Sequence, residues 1–194
     1  MTRDEALQLV HKYVKTDNSV KHMLATEAIM RALARHFGED SKSSDGVNEE
    51  KWGLAGLVHD IDMEEVDYRN EPTKHGPRSI EILKENGLTD EEILNAVLAH
   101  NEALGGERGT KIEKAIHSVD PLTGLIVAAT LVLPSRKLAD VTVENILNRF
   151  KEKHFARGAN REIIARCEEL GLSLKEFCKI GLEAMQGISD ELGL

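Results

Sequence analysis

Leu57-Val58-His59-Asp60-Ile61-Asp62 decides how the rest of this chain is read. An apolar helix side runs directly into an adjacent His-Asp pair, and burying an imidazole and a carboxylate costs free energy unless something binds them. A divalent cation accepts both donor types. Two consecutive residues are only half of a coordination sphere, so the remaining donors must come from elsewhere. Working outward, the candidates are His22, His75, His100 and Asp120, each on its own predicted helix or helix end.

Helix starts are written repeatedly as capping boxes, in which a Ser or Thr hydroxyl and a Glu three residues later satisfy the first free amides. Thr2/Glu5 predicts a helix to about Thr16, and Thr89/Glu92 one to about His100. Thr110/Glu113 predicts one toward Asp120, and Ser173/Glu176 the last. Asp17, Asn18 and Ser19 offer a cap for the helix carrying His22, whose Met23, Ala25, Ile29, Met30, Leu33 and Phe37 follow a helical period. Residues 49–60 read as the helix leading into the His-Asp pair, and residues 38–48 as a solvated loop before it. Residues 62–73 read as a second irregular connection, and residues 101–109 as a Gly-rich loop after His100. Pro121 and Pro134 bracket an apolar helix over 122–133, with Asp120 where the proline perturbs the chain. Gly87 and Gly171 are expected to close helices. No alternating Val/Ile/Thr stretch bounded by hairpin turns is present, so an all-α fold is expected.

The order His22, His59-Asp60, His75, His100, Asp120, with the apolar lead-in and Ser118-Val119-Asp120-Pro121-Leu122-Thr123 at the far end, resembles the HD superfamily of metal-dependent phosphohydrolases over roughly residues 18–135. The resemblance implies an HD-type helical bundle with a metal site in the core between helices. It implies that all six residues are metal ligands, with Asp60 a bridging carboxylate and Asp120 completing the first metal's shell. Two divalent transition-metal ions are then expected, and an imidazole-rich set favours Fe, Mn, Co, Ni or Zn over Mg. A metal-held hydroxide would attack phosphorus, so no side-chain nucleophile is needed. Many dinuclear relatives carry a Gly two residues after the His-Asp pair and a Lys after it; here Asp62 and Met63 stand there. Asn101 stands where the cyclic-dinucleotide branch has a second His, and that branch's Gly-Tyr-Pro motif is absent.

Of 194 residues, 41% are apolar and 30% charged, which describes a globular chain able to bury a substantial core. We expect residues 1–140 to form the metal-binding domain and 141–194 a C-terminal helical extension packed on it. The net charge of −9 disfavours a nucleic-acid polymer as partner. The longest apolar run, residues 124–133, is about half the roughly 20 residues a bilayer needs, so no membrane partner is expected. An acidic start, Asp4 and Glu5, is unlike a secretory signal, and a cytoplasmic location is expected. Cys167 and Cys178 fit no metal or redox motif and read as buried thiols.

The expected function is hydrolysis of a small phosphorylated or nucleotide substrate, with Lys74, Arg78 and Arg108 as candidate phosphate contacts. Two alternatives stay open: a di-iron oxygenase on the same ligand set, which a minority of the superfamily represents, and a non-catalytic metal-binding regulatory protein. Arg149, Lys151, Lys153, His154, Arg157 and Arg161 form a basic segment, read as a solvated face or a substrate lid. His11, His36, His117 and His154 have no place in the six-residue order and read as structural or surface groups.

Overall fold

The structure is a computed structural model that describes residues 1–39 and 48–194, and among the described residues it contains helices and no strand. The long helix α2 (Asp17–Glu39) carries His22 near its start and packs on α3 (Glu49–Val58), which delivers His59 as its C-terminal cap. A second pair, α5 (Glu91–His100) and α6 (Lys111–Leu131), delivers His100 and Asp120; both pack on the first pair. Preceding these, α1 (Arg3–Tyr13) lies on α3, while α4 (Pro77–Glu85) follows His75 and leans on α5. The C-terminal helices are α7 (Val143–Lys151), α8 (Arg161–Ala165), α9 (Leu174–Gln186) and α10 (Ser189–Leu192). Of these, α9 packs on α2, α6 and α7.

The caps agree with the reading of Thr2 and Thr110, both complete boxes, and of Ser173, whose hydroxyl accepts from Glu176 N. Four local readings change. Asp90, not Thr89, caps α5: its carboxylate reaches both the Glu92 and Ile93 amides, which a hydroxyl one residue earlier does not match. The expected break at Pro121 does not occur, and α6 runs through it from Lys111 to Leu131. Proline removes one helical hydrogen bond there, but Ile116, Val119, Leu122, Leu125 and Ile126 form a buried stripe across it that holds the two halves on one axis. Asp17 lies inside α2 rather than ahead of it. Finally, α2 continues through Gly38 to Glu39; residues 40–47 of the expected loop lie outside the described residues.

The crossing of α2 and α3 sets the distance between His22 and His59. A Cβ on Gly56 would stand 2.9 Å from the Glu27 amide nitrogen and Cα and from the Thr26 carbonyl carbon, so only glycine permits this approach. Glu27 itself is buried and accepts from Arg3 Nε (2.7 Å) and Arg31 Nε (2.9 Å), closing the crossing with ion pairs. The two cysteines are buried, and burial pushes their thiols up, to about 11 for Cys167 and about 12 for Cys178.

Gly56→Ala therefore forces rigid backbones apart and is expected to destabilise the fold by about 1–3 kcal/mol. Urea unfolding checks it; an unchanged midpoint would show that the crossing is not tight.

Candidate metal centre

Each of the four histidines has its Nδ1 held by an oxygen acceptor. His59 Nδ1 donates to the Gly56 carbonyl at 2.8 Å, and His100 Nδ1 to the Val97 carbonyl one turn back in α5. His75 Nδ1 donates to Asp62 Oδ1 at 2.7 Å. The Thr123 hydroxyl donates to the Asp120 carbonyl (2.8 Å), leaving its oxygen to accept from His22 Nδ1 at 2.9 Å. All four rings thus carry a proton on Nδ1 and turn Nε2 inward, the atom a cation would take.

Those four nitrogens converge on Asp60. Its Oδ1 lies 3.2 Å from His75 Nε2, 3.2 Å from His100 Nε2 and 3.5 Å from His59 Nε2, and its Oδ2 lies 3.4 Å from His22 Nε2. Asp120 Oδ1 stands 3.1 Å from His22 Nε2. The Nε2 atoms also face one another, His75 and His100 at 2.8 Å and His22 and His59 at 3.2 Å. Lone pairs at such separations repel unless a proton or a cation lies between them. Two sets, His22/His59/Asp120 and Asp60/His75/His100, each keep their ligand atoms within 4.8 Å of one another and could each hold a metal ion. A nitrogen-rich set with two carboxylates suits a divalent transition metal.

The electrostatics carry the same demand. Burial opposes a charge on His22 and His75, but the carboxylates beside them outweigh it: Asp120 and Asp60 hold His22 up at about 10, and Asp60 and Asp62 do the same for His75. His59, sealed in the core, is pushed down to about 4 by burial. Burial resists ionisation of Asp60, yet the surrounding imidazoles hold it well below the usual carboxylate range.

Asp62, in sequence only a departure from the family pattern, organises the His75 arm. It is fully buried and accepts from His75 Nδ1, Gly76 N (2.8 Å) and Ser79 N (3.0 Å), fixing both the ring and the start of α4. An acid two residues after a His-Asp pair, upstream of a His-Gly-Pro turn, is the only sequence signal it leaves.

The three phosphate-contact candidates each stand beside an acidic side chain. Lys74 pairs with Glu71 (2.6 Å), and Arg78 with Glu65 and Glu81 (2.9 Å each). Arg108 is buried, donating to the Ala99 carbonyl and to Glu102, which also accepts from His117 Nε2 at 2.6 Å. In the basic segment, Arg149 pairs with Glu152, and Arg161 donates to the Phe150, Phe155, Ala156 and Ala159 carbonyls, closing the turn before α8. Arg161 is therefore a structural cation.

Two predictions follow from this geometry. In chelator-stripped protein at neutral pH, His22 and His75 hold protons that a cation must displace, whereas His59 is already neutral. Binding of Mn²⁺ or Zn²⁺ should release about two protons per chain and tighten as pH rises toward 10. Calorimetry in buffers of different ionisation enthalpy measures this, and pH-independent affinity would refute it. Asp62→Asn should weaken metal affinity about 10–100-fold while leaving the helix content intact, because the amide no longer forces the His75 tautomer.

The HD domain family model matches residues 20–150. Neither the curated proteins nor the solved structures yield a match. The matched span starts within α2 before His22 and ends at the close of α7, so it encloses all six converging residues, and the chain belongs to the HD domain family.

Proposed function

We propose that this chain is a metal-dependent hydrolase of a small phosphorylated or nucleotide substrate. HD domains are typical of metal-dependent phosphohydrolases, and the observation that carries the reading is the position of Asp60. Its Oδ1 faces His75 and His100 of its own set and also His59 of the other, and its Oδ2 faces His22, so this one carboxylate borders both sets. Divalent cations held by these residues would supply an activated water and neutralise charge on phosphoryl oxygens.

The chain's own residues do the rest. Gly56, Val97, Asp62 and Thr123 hold the four rings in one tautomer, so the donors stand ready without rearranging. Access is greatest beside His22 and Asp120, whose side chains are 24% and 33% exposed, against 15% for His75 and 0% and 2% for His59 and His100. A substrate therefore approaches from the α2–α6 side.

Purified without chelator, the protein should carry about two transition-metal ions per chain and release phosphate from small phosphoesters. Asp60→Ala should lose both ions and all turnover. A content near one, unchanged in His75→Ala and His100→Ala, would sink the dinuclear reading. Iron content with substrate-dependent oxygen uptake and no phosphate release would replace hydrolysis by the oxygenase reading, for which the same nitrogen-rich ligand set is suited.

A further inference from the structure

A groove of about 410 Å³ lies between α2 and α6, with His22, Thr123 and Lys21 at its polar end and Ala25, Val127 and Leu131 among its apolar walls. It begins at a ligand ring on the exposed side of the cluster, and its volume falls in the range of small-molecule sites. Gly124 also lines it. This glycine is exposed within α6, and a Cβ added there would meet no heavy atom within 4 Å. Glycine inside a helix is less favourable than alanine, and no close packing calls for it here. What its missing side chain leaves is the open groove.

Charge narrows what the groove can take. Lys21 is already paired with Asp17 at 2.9 Å, and Lys74, Arg78 and Arg108 each have an acid of their own. A second or third phosphoryl group, lying beyond the metal cluster, would find these cations already neutralised in a protein of net charge −9.

We propose that the α2–α6 groove binds the body of the substrate, and that this substrate is a monophosphate ester with a compact apolar or aromatic body, not a di- or triphosphate. The assignment rests on the phosphohydrolase reading above: the phosphoryl group sits at the cluster, and the body runs along Thr123, Gly124 and Val127.

The test uses the metal-loaded full chain, with 1-naphthyl phosphate, methyl phosphate and adenosine diphosphate as substrates. The non-hydrolysable, fluorescent 1-naphthylmethylphosphonate serves as a binding probe. The wild-type kcat/KM should favour 1-naphthyl over methyl phosphate by about 100-fold. Gly124→Leu, whose side chain enters the groove, should lower that ratio at least tenfold through KM and weaken phosphonate binding to match, with no drop in Tm. Gly124→Ala should fall between, and it carries the test if the leucine variant does not fold. An unmoved ratio with unchanged phosphonate binding, or a preference for the diphosphate, overturns the proposal. Should the wild type hydrolyse no ester, the phosphohydrolase reading falls by itself. Phosphonate binding then decides the groove: weakened in Gly124→Leu it stands, unchanged it is refuted.

Discussion

Four imidazole nitrogens and two carboxylates held face to face repel one another, and much of the rest of the structure serves to keep them there. Each Nδ1–H points outward to Gly56, Val97, Asp62 or Thr123, so only a bound cation, or the protons that His22 and His75 hold without one, relieves the repulsion. An isolated helix pair would open under this load. What opposes it is the apolar packing of α2, α3, α5 and α6, whose Met23, Ile29, Leu57, Val97, Ile116 and Leu122 are fully buried around the cluster. The Gly56 crossing adds a positional constraint, because the carbonyl that fixes His59 belongs to the residue that lets α2 approach. Fold stability and ligand placement are thus coupled at one glycine.

Local signals were legible where they depend on neighbours in sequence. The helical periods and the Thr2, Thr110 and Ser173 caps each involve groups within a few residues of each other, and the structure has them. The continuity of α6 through Pro121 was not legible, because proline's local cost is outweighed by a buried stripe whose partners lie on other helices. The same distinction governs the site. The ordered histidines and aspartates could be picked out, and the structure brings those six together. Their backbone acceptors leave no trace in residue type, since any residue at 56 or 97 carries a carbonyl. Lys74, Arg78 and Arg108 looked available because their charge is visible in sequence while the geometry that pairs Arg78 with Glu65, thirteen positions away, is not.

The Glu102 side chain shows how outer contacts tie two arms of the cluster together. It follows His100 by two residues, accepts from Arg108 at 2.9 Å and from His117 at 2.6 Å, and His117 precedes Asp120 by one helical turn. Burial lowers the pKa of His117, and Arg108 beside it acts in the same direction, so the hydrogen bond to Glu102 offsets the cost of placing that ring in the core. One carboxylate on the loop after α5 thereby registers α5 against α6. The histidine that had no place among the six therefore belongs to the frame around them.

The residues beyond the family match have a comparable role on the other flank. A Cβ on Gly181 of α9 would stand 2.8 Å from Leu122 Cδ2, so α9 is seated against α6 two residues past Asp120, at the point where Pro121 has removed a helical hydrogen bond. Phe177, fully buried on the same helix, extends that contact. A helix weakened at its ligand is thus braced from outside by a segment the family pattern does not include. Leu192 of α10 then reaches back to line the groove that starts at His22. The C-terminal segment therefore touches both the helix that carries Asp120 and the groove that starts at His22.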